Sequence, residues 1–109
     1  MDYVIFDLEW NQCPYGKGKE NPKLPFEIIE IGAVKMDGER NVLGTFHRIV
    51  KPVVYQHLHH RTREVVGLTE EDLQNGIPFA QAVQEYEREN GALSLLLLPD
   101  LHGTAAIIV

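Results

Sequence analysis

The sequence predicts a single α/β domain in which three strands are followed by two helices and a fourth strand, and three observations carry that prediction. Residues 3–6 (YVIF) are β-branched and aromatic and run into Asp7, Leu8 and Glu9, the pattern of a buried strand with a polar end. Residues 27–35 (EIIEIGAVK) and 42–51 read as two more strands, joined through Asp37 and Gly38, a hairpin-turn dipeptide. Beyond residue 68 the pattern changes to helix signals and then to a short apolar run.

Taken in order, the first strand is expected at the centre of the sheet. Residues 11–25 hold three prolines, two glycines, two asparagines and three lysines, which predicts an exposed loop. A loop of that length beside a strand end often carries function. Pro52 closes the third strand. Thr69 with Asp72 resembles a capping box opening a short helix, and Gly76 is expected to end it in the left-handed conformation. Pro78 suits the first turn of a second helix, whose apolar stripe is Phe79, Ala82, Val83 and Tyr86 and whose stop is Gly91. Residues 95–98 are the expected fourth strand. Residues 104–109 end on bare apolar side chains without a cap or a following helix, the mark of a chain cut short or altered.

Composition bounds the function. The chain has 109 residues, 44% hydrophobic and 24% charged, enough for one small domain and no more. A formal charge of -6 gives no general attraction for nucleic acid, so any such partner must be held locally. Cys13 is the one cysteine, which excludes an internal disulfide and a cysteine-built zinc site and points to a reducing, cytoplasmic setting. The N-terminus lacks the pattern of a signal peptide, and residues 93–109, broken by Pro99, Asp100 and His102, fall short of a membrane span. The oligomeric state is not legible.

Side chains alternate along a strand, so Asp7 and Glu9 leave the first strand on the same face. Two carboxylates so placed repel each other, and a hard divalent cation is one natural compensation. The competing reading, the solvated end of a strand, suits most D-x-E sequences. Here the surroundings favour the metal. The segments YVIFDLEWN, EIIEIGAVK, TFHRIVKP and HHRTREVVGLTEEDL together resemble, in type, order and spacing, the DnaQ-like 3'-5' exonucleases of the DEDD group, and within it the DEDDh type of the sporulation-inhibitor and Eri branch. The resemblance covers residues 2–90.

That resemblance implies an RNase H-like fold, with a three-stranded antiparallel meander extended by a parallel strand and flanked by helices. It also implies a site in which four acidic residues from three motifs hold two Mg²⁺ or Mn²⁺ ions and a histidine or tyrosine helps activate water. Asp7 and Glu9 match the first motif, as catalytic and metal-binding residues. The implied reaction is hydrolysis at the 3' end of single-stranded DNA or RNA, the ions supplying locally the positive charge that the protein lacks.

The later motifs of the family, an aspartate beside a Trp-Gly pair and a histidine and aspartate on a later helix, are not present as such. Trp10 is the one tryptophan, and no acidic residue follows Asp100. Asp100 is the candidate to stand in for the second-motif metal ligand; the competing reading is a turn aspartate after Pro99. His102 is a weaker candidate for the catalytic histidine. Residues 91–109 therefore read as a divergent or truncated tail, and the chain as an incomplete, inactive form of an exonuclease. The alternative is a non-catalytic module that kept the sheet to bind nucleic acid or protein.

Leu8, Trp10 and Asn11 are candidates for substrate contact, Trp10 because an aromatic face stacks on bases; a core role for Trp10 competes. Glu27 and Glu30, on the second strand, could approach the metals; the favoured readings are an edge or surface charge for Glu27 and, for Glu30, a carboxylate that is core-paired or stands behind the metal ligands. His57, His59 and His60 lack zinc-partner spacing and read as a solvated turn. With Arg61 and Arg63 they form a basic patch that could meet phosphates or simply start a helix, and Lys17 and Lys19 could reach phosphates from the loop.

Overall fold

The computed structural model describes residues 2–90, 98–99 and 104–108. Its elements are β1 (Tyr3–Gln12), β2 (Phe26–Met36), β3 (Val42–Ile49), α1 (His60–Val66), α2 (Glu70–Gln74), α3 (Phe79–Asn90), β4 (Leu98–Pro99) and β5 (Thr104–Ile108). The strands form one sheet in the order β3-β2-β1-β5-β4, so β1 is central as expected. β1, β2 and β3 make the antiparallel meander.

Three expectations are corrected. First, the neighbour of β1 on its other side is β5, which runs antiparallel to it, Tyr3 opposite Ile108 and Asp7 opposite Thr104. β4 pairs antiparallel with β5 and so shares the direction of β1, but it lies one place further out. A parallel strand is present in direction, with β5 occupying its place. Of the expected fourth strand, residues 95–97 lie outside the described residues and Leu98 falls in β4. Second, the described residues hold three helices, because His59 caps α1 with its ring nitrogen, accepting from the Arg61 N–H, and Gly67 ends it at φ 70°. Third, β1 continues through Asn11 and Gln12 where a loop was expected.

The register of β1 on β2 slips at a bulge. Glu9 faces Glu30, and the next residue, Trp10, faces Ile28, leaving Ile29 as the extra residue on β2. Before the slip, Ile31 and Ala33 join Val4, Phe6 and Phe46 against Ala82 and Tyr86 of α3. The ring of Tyr86 lies 4.9 Å from Phe6 and 5.5 Å from Phe46. The extra residue turns Ile29 to the opposite face, where it packs with Leu58 and Leu73 under α1 and α2. One bulge thus lets a single strand serve two cores.

The local signals have mixed outcomes. The Thr69–Asp72 capping box forms with both of its hydrogen bonds. The β2–β3 connection is a longer loop than the Asp-Gly step predicts: the Asp37 carboxylate accepts from the Glu39 and Asn41 N–H groups, and the left-handed residue is Arg40, not Gly38. α2 ends at Asn75 in the right-handed region, and the need for glycine at Gly76 is space: a Cβ there would lie 2.7 Å from the Ile49 carbonyl oxygen. α3 buries Ala82 and Tyr86 as the stripe predicts, whereas Phe79 is half-exposed at its start. Gly91, the expected stop, lies outside the described residues. No described helix is long and apolar enough to cross a membrane.

Candidate metal centre

Asp7 and Glu9 do leave the same face of the central strand, Asp7 exposed and Glu9 half-buried, while Val4 and Phe6 before them and Leu8 between them turn to the core on the other face. Gly32 lies opposite Asp7, so no side chain from β2 crowds that carboxylate. Glu30 lies opposite Glu9 and pairs with His47 of β3 at 3.0 Å. Three carboxylates therefore share one face of the sheet with a single imidazole beside them. Burial, then the charge of Asp7, then that of Glu30, hold the Glu9 carboxyl above its ordinary value.

The donor set is carboxylate oxygen alone, which suits Mg²⁺ or Mn²⁺ and not a soft metal. The fit is partial: among the described residues no three His, Cys, Asp or Glu side chains converge closely enough to hold an ion. Asp7 and Glu9 would hold one side of it. Asp100 and His102 lie outside the described residues.

The candidate substrate residues divide. Leu8 is half-buried and packs on the α3 core, away from the pair. Trp10 is 41% exposed and lines a groove of about 190 Å³ with Leu24, Phe26, Ile28, Val53 and Phe79. Asn11 is fully buried, and its amide is spent within the protein. Its Nδ2 donates to the carbonyls of Tyr55 and His57, at 3.3 and 2.9 Å, and its Oδ1 accepts from the His59 N–H at 3.0 Å. The reading of Asn11 as a substrate contact gives way to one of Asn11 as a tether for residues 55–59.

Glu27, expected at the surface, is corrected in the same way. It is buried opposite Asn11, and its carboxylate accepts the N–H groups of Val53, Val54 and Tyr55 at 2.8 to 3.0 Å. The signal that could have found it is an acidic residue two positions from Ile29 at the head of an apolar strand, where a charge persists only if well bonded. The imidazoles do not form a zinc site: His57 pairs with Glu70, and the rings of His59 and His60 stack 4.2 Å apart at the head of α1. Arg63 is also engaged by Glu70, at 3.0 Å, which leaves Arg61, Lys17 and Lys19 exposed.

Residues 4–97 match the family model described as exonuclease, RNase T. The chain belongs to that family, whose members are 3'-5' exonucleases, and its fold is the RNase H-like one of their nuclease domains. Among curated proteins it is 33% identical over 60 residues, 55% of this chain and 4% of the relative, to a PolC-type DNA polymerase III of Thermotoga maritima. Among solved structures it resembles a full-length 3'-exonuclease (TM-score 0.66, 21% identity, 80% of this chain and 28% of that one). It also resembles the nuclease domain of 3'hExo, a DEDDh family member bound to rAMP (TM-score 0.64, 20% identity, 83% and 46%). A third likeness is cell-death related nuclease 4 (TM-score 0.65, 20% identity, 84% and 30%). The chain thus spans less than half the length of each of these proteins.

Proposed function

We propose that this chain carries the first-motif half of a 3'-5' exonuclease site acting on single-stranded DNA or RNA, and that alone it is inactive. The observation that carries the reading is the face shared by Asp7, Glu9 and Glu30, three carboxylates with too little positive charge among them. Bound divalent ions would supply Lewis acidity and an activated water for phosphodiester hydrolysis. Asp7 and Glu9 would orient such an ion from one side, and Glu30, restrained by His47, would add negative charge behind them. The solved neighbours support a nucleic-acid substrate by their titles, one of them describing recognition of a histone mRNA stem-loop by a 3'-exonuclease.

The half shell that the described residues offer cannot place a reacting phosphate to within the ~0.5 Å that such chemistry needs, hence the expected inactivity. The test is release of nucleotides from 5'-labelled single strands with Mg²⁺. The chain as it stands should release none, and fusing a family-type segment with the later acidic motifs after Glu89 should restore release, abolished again by Asp7→Ala. Activity of the unfused chain that survives Asp7→Ala would overturn the assignment.

A further inference from the structure

We propose that the cleft between the loop after β1 and the head of α1 binds a nucleotide of a single-stranded nucleic acid a few positions from the reacting linkage, with Lys17, His59 and His60 facing phosphate and Phe26 stacking on a base. The proposal rests on the functional reading above and adds a subsite to it. The cleft has a volume of about 450 Å³ and is lined by these four residues together with Gln12, Cys13 and Glu20 among others. Its distance suits a strand: Gln12 follows Glu9 by three residues on β1, about 10 Å at the rise of an extended strand. A chain whose end lies at Asp7 and Glu9 would reach it within its first few nucleotides.

Each lining group has chemistry to offer. Lys17 is exposed and makes no ion pair among the described residues. The ring of His59 accepts the Arg61 N–H at Nδ1, so the neutral ring carries its proton on Nε2 and can donate it. His60 is exposed and stacked on His59. Phe26 is 53% exposed and borders both this cleft and the apolar groove beside Trp10, so aromatic and basic groups interleave there as single-strand binding requires. Asn11 accepts the His59 N–H and so fixes the backbone of one wall of the cleft. Glu20 is the one carboxylate in the lining. It accepts the Gly18 N–H and opposes an anion.

The test is an anisotropy titration of the whole chain with a 5'-labelled dinucleotide and octanucleotide in Mg²⁺, at several salt concentrations. Lys17→Gln should weaken octanucleotide binding and reduce its log-log salt slope by about 0.7, the value for one phosphate contact on a single strand. Phe26→Ala should weaken it about tenfold with the slope unchanged, and Glu20→Gln should tighten it. The dinucleotide should be indifferent to all three. Equal binding of the two lengths, or an octanucleotide indifferent to all three changes, would overturn the subsite while leaving the functional reading intact. Binding of neither length would overturn the subsite as well, while the functional reading stands or falls separately on the Asp7-dependent release of nucleotides by the fused chain.

Discussion

Asn11 and Glu27 face each other across β1 and β2, and between them they hold residues 53–59 onto the sheet by six hydrogen bonds to backbone groups, three from each side chain. Removing either leaves buried backbone donors or acceptors without partners. Asn11→Ala and Glu27→Ala should each cost about 2–3 kcal/mol in urea unfolding. Asn11→Asp should also fail to rescue, because a carboxylate cannot donate to the Tyr55 and His57 carbonyls. Losses no larger than those of an exposed substitution such as Lys19→Ala would refute the tether.

The Glu9 carboxyl titrates above its ordinary value, with burial as the leading cause and Asp7 the next. A carboxylate whose folded value is raised disfavours the folded state once ionised, and the penalty disappears as pH falls below that raised value. Glu9→Gln should therefore be more stable than the parent near neutral pH and equal to it in acid. Asp7→Asn should bring the Glu9 titration, followed by side-chain NMR, back toward the ordinary range. A Glu9 titration unmoved by Asp7→Asn would mean that the two charges do not interact.

Mn²⁺ should bind weakly at this face, since the described residues offer half a shell. Paramagnetic broadening should appear first at Asp7, Glu9 and Gly32 and vanish in the Asp7→Asn, Glu9→Gln double variant. Broadening centred instead on His57 or His59 would move the metal assignment to the α1 end of the sheet.

Gly76 and Gly67 should respond differently to alanine. At Gly76 the new Cβ meets the Ile49 and Lys51 backbone at 2.7 and 2.9 Å, so β3 must shift, at about 1–3 kcal/mol. At Gly67 the space is open and the cost is the left-handed conformation alone, about 1 kcal/mol. Thermal unfolding of the two variants separates the explanations, and equal losses would argue against the close approach.

The sequence by itself determined what depends on neighbours along the chain. Strand alternation set Asp7 and Glu9 on one face, the Thr69–Asp72 box opened α2, and spacing put Ala82 and Tyr86 on the buried side of α3. These are effects of one or two turns or of a period of two, written in adjacent letters. Tertiary structure decided what depends on partners far along the chain. Asn11 and Glu27 look like surface residues until residues 53–59, more than 25 positions away, bring backbone groups that make their burial favourable. The bulge at Ile29 answers to two cores on opposite faces, and Gly76 to a backbone that crosses it from β3. The neighbour of β1 was likewise open: residues 104–108, read along the chain as a bare apolar tail, form β5 beside β1, because an apolar run does not by itself specify a strand or its partner.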